Sequence, residues 1–100
     1  MEFDKTYDGT GMTVRLIGEV DSVNVMNIEE ALLKETDGVT DLTFDLKQLD
    51  YISSAGLRVL LQMQKTMKKQ GKMTVINVSE EVMEIFKVTG FVRLLNIVEE

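Results

Sequence analysis

A chain of 100 residues with a formal charge of −6, 44% hydrophobic and 28% charged, makes one compact domain with room for a single core. It has no cysteine and no histidine, which excludes disulfides, a thiolate nucleophile, a Ser-His relay and the usual zinc sites, so neither metal nor cofactor is expected. Its acidity argues against nucleic acid as a partner, and no apolar run nears the ~18 residues of a membrane-spanning helix. The opening Met1-Glu2-Phe3-Asp4 lacks the basic and then apolar character of a signal peptide. The expected location is the cytoplasm, without direct membrane insertion.

Phe3 to Tyr7 is short and weakly patterned, and Asp8-Gly9-Thr10-Gly11 supplies a turn into Met12–Ile17, so the two segments read as a hairpin. Met12, Val14 and Leu16 share one face of the second strand, and Thr13, Arg15 and Ile17 share the other. That predicts a sheet covered by helices mainly on one side. The first helix is expected over roughly Val23 to Thr36, with Asp21 or Ser22 available as its cap. Val25, Ile28 and Leu32 form its inward stripe with Ala31 beside them, Asn27, Glu30 and Lys34 face outward, and Asp37-Gly38 ends it.

Asp41 to Leu46 alternates as a strand, with Leu42, Phe44 and Leu46 on the core face, and Lys47 to Tyr51 reads as a connecting loop. A long helix follows over Ser54–Gln70. Its apolar face carries Gly56, Leu60, Met63 and Met67 with Leu57 and Leu61 beside them, and Arg58, Gln62, Lys65 and Lys69 mark the opposite face. Lysines in its last turns complement the helix dipole, and Gly71 is the expected stop. Lys72–Asn77 is a further strand. Ser79 caps a third helix that begins with Glu80 and Glu81, turns Val82, Ile85, Phe86 and Thr89 inward, and closes at Gly90. Phe91 to Arg93 crosses to a last strand over Leu94–Val98, and Glu99 and Glu100 finish in solvent.

This order of elements implies an α/β domain with a mixed or largely parallel sheet and right-handed crossovers. Of the seven methionines, Met63 and Met67 read as core filling, whereas Met26 and Met83 lie nearer the surface. Gly9-Thr10-Gly11 is not a phosphate loop, because neither a helix nor a lysine follows it.

The stretch Asp50-Tyr51-Ile52-Ser53-Ser54-Ala55-Gly56-Leu57 lies where period-two patterning gives way to helical spacing. The first amides of a helix lack intrahelical acceptors and carry the positive end of its dipole, so a serine there caps the helix and is also placed to hold a phosphate. Capping is the commoner of the two roles. Small residues at 55 and 56 are expected to keep the surface beside the hydroxyl low enough for another protein's active site.

This stretch resembles the signature of STAS-domain anti-sigma-factor antagonists, in which an aromatic or apolar pair precedes Asp-Ser-Ser/Thr-Gly-Leu. Leu16-Ile17-Gly18-Glu19-Val20-Asp21 is similar to the family's second strand, and element order agrees over almost the whole chain, implying a single STAS domain across residues 1–100. The resemblance implies phosphorylation at Ser54 and contact with a partner through Asp21, Ser53, Ser54, Ala55, Gly56 and Arg58. Asp21 then has two readings, a helix cap and an acid near the kinase-facing surface. Two positions depart from the signature. Ser53 stands where the family usually has Asp, which removes a carboxylate from beside the hydroxyl, and Ala55 stands where Ser or Thr is frequent.

The implied function is partner switching. The unmodified domain binds an anti-sigma factor that is also its serine kinase, which releases the sigma factor; phosphorylation ends the binding and a serine phosphatase restores it. The domain is the substrate and not an enzyme, and the kinase supplies ATP and magnesium. The alternative within the same resemblance is an accessory subunit of a lipid or solute transport complex. Oligomeric state is left open by the sequence.

Overall fold

The computed structural model describes residues 2–98. The chain opens as an antiparallel hairpin, β1 (Glu2–Asp8) against β2 (Gly11–Val20), in a register that sets Asp8 opposite Gly11. Beyond β2 come α1 (Val25–Glu35), β3 (Asp41–Asp45), β4 (Leu49–Ile52), α2 (Ser54–Lys68), β5 (Lys72–Ile76), α3 (Glu80–Thr89), a 3₁₀ turn at Phe91–Arg93 and β6 (Ile97–Val98). The sheet runs β1-β2-β3-β5-β6, and every pairing after the hairpin is parallel.

Alternation decides which face is buried. Met12, Val14 and Leu16 on β2, Leu42 and Phe44 on β3, and Met73 and Val75 on β5 are all inaccessible to solvent. They meet the inward stripes of the helices, chiefly Ile28 and Leu32 of α1, Leu57, Leu60, Met63 and Met67 of α2, and Val82 and Phe86 of α3. The residues between them on the strands, among them Thr13, Arg15, Thr43, Asp45 and Thr74, point away from this core. The expected α/β domain with helices on one side of a mixed sheet is what forms.

Three segments differ from their sequence reading. Leu49–Ile52 is a strand and not a loop: it pairs in parallel with the end of β2, beyond a bulge between Gly18 and Glu19. Gly18 adopts φ 85°, a left-handed conformation that glycine takes without a Cβ penalty, and its amide bonds Gln48 O at 2.9 Å. The last strand is only Ile97–Val98, because Phe91–Arg93 coils and the Leu94 and Leu95 amides bond back to Phe91 O. Finally, α2 ends at Lys68, short of Gln70, whose side chain donates to Thr36 O and Val39 O at 2.8 and 2.6 Å and ties the end of α2 to the loop after α1.

The methionines divide nearly as expected, with Met63 and Met67 in the core, Met26 exposed, and Met83 half-buried against the core. Thr89 is exposed and not inward, its hydroxyl turned back to Ile85 O at 2.7 Å. Glu99 and Glu100 lie outside the described residues.

Candidate functional site

β4 carries the serine pair to the end of β2. Val20 and Ile52 are register partners, and the Ser53 amide then donates to Val20 O at 2.8 Å. Asp21 and Ser53 therefore follow adjacent parallel strands at the same level. Ser53 is extended (φ −79°, ψ 170°) and acts as the N-cap of α2: its Oγ accepts from the Gly56 amide at 3.2 Å, and its carbonyl accepts from the Leu57 amide at 2.9 Å.

With Ser53 occupied as the cap, Ser54 becomes the first helical residue and its side chain is exposed. Arg58 lies one turn further on, also exposed. Residues four apart share a helix face, so Arg58 and Ser54 lie on the same exposed face of α2. No acidic residue occupies the first turn of α2, which leaves the positive end of its dipole uncompensated.

Asp21 caps as well, through a different device. Its Oδ1 accepts from the Val23 and Asn24 amides, each at 2.9 Å, while Asn24 Oδ1 accepts from the Asp21 amide at 3.0 Å. The pair forms a reciprocal capping box across the turn that precedes α1, with Asn24 Nδ2 donating to Glu19 O at 3.0 Å. Hydrogen bonds from the Asn24 and Val23 amides hold the Asp21 carboxyl below its ordinary pKa. Of the two readings of Asp21, the hydrogen bonding shows a cap on the turn that leads into α1, whose own N-cap is Asn24 without a side-chain bond, and the Asp21 side chain is half-buried.

Gly56 does something other than lower the surface. It is buried, and a Cβ there would lie 2.6 Å from Ile52 Cγ1 and 2.8 Å from Val20 Cγ1. Its missing side chain lets α2 settle on the ends of β2 and β4, so it positions the site from below, and Ala55, half-buried, is the small residue beside Ser54. The structure thus brings Asp21, Ser53, Ser54, Ala55 and Arg58 to one end of the domain, with Gly56 beneath them.

Three neighbours were not named as contact positions in the sequence reading. Asp50 and Tyr51 are exposed on β4, Tyr51 at 46% and in register with exposed Glu19. Reading residues 47–51 as a loop concealed them. Asn24 was the other omission, although an Asp followed three residues later by Asn is a recognisable variant of the capping box. Among the described residues no group of three or more Asp or Glu is placed to hold a metal ion, and no helix is long and apolar enough to cross a membrane.

Comparison with known proteins bears on the same stretch. The sequence model of the STAS domain matches residues 4–100. The chain belongs to the STAS domain family. It is 37% identical over 87 residues to BtrV of Bordetella bronchiseptica, described as a candidate anti-sigma factor antagonist, covering 84% of this chain and 75% of that one. To the anti-sigma-B factor antagonist of Bacillus subtilis it is 32% identical over 95 residues, covering 94% and 87% of the two chains. Among solved structures, the anti-sigma factor antagonist SpoIIAA in its unphosphorylated form superposes with a TM-score of 0.85 at 19% identity, over 99% of this chain and 88% of that one. The phosphorylated form of SpoIIAA from Bacillus gives 0.78 at 18% identity, over 99% and 91%. These relatives are regulators and not enzymes, and the fold of this STAS domain is theirs.

Proposed function

We propose that this STAS domain is an anti-sigma factor antagonist working by partner switching: unmodified, it binds an anti-sigma factor and frees a sigma factor in the cytoplasm, and phosphorylation of Ser54 turns the binding off. The observation that carries the reading is the exposed Ser54 hydroxyl at the first position of α2, with its neighbour Ser53 taking the cap. A serine that is not needed to cap its helix is available for chemistry. The curated relatives named as antagonists supply the partner class.

The physical switch is local. Phosphoserine brings about −1.5 to −2 charges and three acceptor oxygens to a surface that offers only Ala55 as a neighbour in the first turn. A partner packed closely on that surface meets both bulk and charge. Within the domain the same group is tolerated, since the dipole at the start of α2 favours an anion by about 0.3–1 kcal/mol and Arg58 lies on the same helix face. Binding therefore changes while the fold is retained. Asp21, Ser53, Ala55 and Arg58 form the surrounding contact surface, and a serine phosphatase resets the switch.

The test is isolation of the protein with its bound partners, followed by incubation of the complex with magnesium and ATP. A copurifying anti-sigma kinase that phosphorylates Ser54, with no incorporation into Ser54→Ala and at least about tenfold weaker binding by the phosphorylated domain or Ser54→Asp, is the expected result. Copurification with an ATP-hydrolysing transporter component, or undiminished incorporation into Ser54→Ala, overturns it.

A further inference from the structure

The sheet face that the helices leave open carries a pattern that fits itself. Parallel sheets are ordinarily covered on both faces, whereas here β2, β3, β5 and β6 are parallel and one face meets solvent. The register places Thr6, Thr13, Thr43 and Thr74 in a single row across β1, β2, β3 and β5. Side chains two residues apart along a strand share its face, so two further rows flank the threonines. One runs Asp8, Gly11, Asp41, Lys72; the other runs Asp4, Arg15, Asp45, Ile76.

We propose that this open face is a docking surface for a second copy of the chain, related by a two-fold axis that runs parallel to the strands between β2 and β3. Such an axis keeps each row and reverses the order of strands within it. Arg15 of one copy then faces Asp45 of the other, Asp8 faces Lys72, and threonine faces threonine along the middle row. Each charged pair occurs twice, as an isologous interface requires. The alternative axis, perpendicular to the strands, sets Asp41 against Asp45 and Asp8 against Asp4, and charge rejects it. Strand directions remain aligned in the favoured arrangement, one of the two ways in which sheets pack face to face.

The groups involved are ready for this. Arg15 Nε stands 3.7 Å from Asp45 Oδ2 within its own chain, and the Arg15 side chain remains half exposed. Asp45 is oriented by the Lys47 amide at 3.0 Å and by Asn77 Nδ2 at 3.2 Å. Lys72 Nζ is 3.9 Å from Asp41 and also exposed. Pairing across the interface extends Arg15–Asp45 into a four-charge network and adds Asp8 of the other copy to Lys72–Asp41, while Asp41 itself faces Gly11. The flat footprint, four strands about 4.8 Å apart and five residues of about 3.3 Å each, is on the order of 300 Å² per copy, well below the roughly 800 Å² of a standard interface. The dimer is accordingly weak, reversible and sensitive to salt. Ser54 opens α2 on the covered side of the sheet and stays accessible in it. The proposal rests on strand register alone and stands apart from the function proposed for Ser54.

Sedimentation equilibrium of the whole chain tests it, at concentrations up to about 1 mM and in about 20 and 300 mM salt. The expected result is self-association at low salt that high salt weakens at least about tenfold. Asp8→Lys and Lys72→Asp should each weaken it at least about tenfold, and the double exchange Asp8→Lys with Lys72→Asp should restore it. Both positions are exposed, and if one single variant fails to fold the other carries the comparison. A wild-type chain that is monomeric at about 1 mM in low salt, association indifferent to the folded single variants, or a double exchange that does not restore it would each overturn the proposal.

Discussion

Two helices of this domain begin with a serine cap, and they begin differently. Ser53 and Ser79 are both extended, and each accepts a hydrogen bond from the amide three residues on, at 3.2 and 3.3 Å. After Ser79 come Glu80 and Glu81, which compensate the dipole of α3, and then Val82, which enters the core. After Ser53 come Ser54 and Ala55, which compensate nothing, and then Gly56, which leaves room for Val20 and Ile52. The start of α3 is finished as a piece of structure, with charge and packing both satisfied. The start of α2 is left open to an added anion, and that difference is what the function proposed for Ser54 draws on.

The comparison is broken most severely at the third helical position. Gly56→Val gives α2 the side chain that α3 carries at Val82, but here it collides with two branched residues. Overpacking of this kind should cost about 1–3 kcal/mol in urea unfolding, whereas Val82→Gly opens a cavity and also destabilises. The caps come next. Ser53→Ala and Ser79→Ala should each lose about 0.5–2 kcal/mol, with the larger loss at Ser79, whose Oγ also donates to Leu49 O at 3.3 Å. Equal losses would show that this bridge from α3 to β4 contributes nothing.

Charge sharpens the contrast at a smaller scale. Glu80→Gln and Glu81→Gln should each destabilise by about 0.3–1 kcal/mol, and Ser54→Glu should stabilise the isolated domain by a similar amount as it abolishes partner binding. A destabilised Ser54→Glu domain would mean that α2 does not accept an anion. The smallest effect concerns pH. The Asp21 carboxyl is held below its ordinary pKa by the Asn24 and Val23 amides, so its contribution is present above about pH 4 and is lost as the pH falls through the depressed folded value. Asp21→Asn should differ from wild type in stability at pH 7, and the difference should narrow at pH 3.

Much of this was legible in the sequence because it rests on local rules. The inward stripes of α1 and α2, the cap at Ser79, the hairpin and the one-sided sheet all follow from periodicity and capping chemistry. The start of α2 at Ser54 follows in the same way. β4 was not legible, because Leu49 and Ile52 are buried while Asp50 and Tyr51 between them are exposed, a three-residue spacing that suits a helix turn and not the alternation of a strand. Its partner lies some thirty residues upstream, beyond a bulge. The role of Gly56 was hidden for a similar reason, since the residues it makes room for come from two strands and only Ile52 is a near neighbour in sequence. The final strand was read too long because apolar Leu94 and Leu95 suit a sheet as well as they suit the tight turn they form, in which Leu95 enters the core and Leu94 stays exposed.

The division of labour within β4 bears on how such domains coexist. Leu49 and Ile52 supply its burial, so the identities of Asp50 and Tyr51 can drift without cost to the fold while altering what a partner meets beside Ser54. Under the function proposed for Ser54, a cell holding several copies of this architecture has in those two residues a place to insulate one circuit from the next. Crosstalk between duplicated pathways can then be removed by surface substitution alone, with the scaffold inherited unchanged.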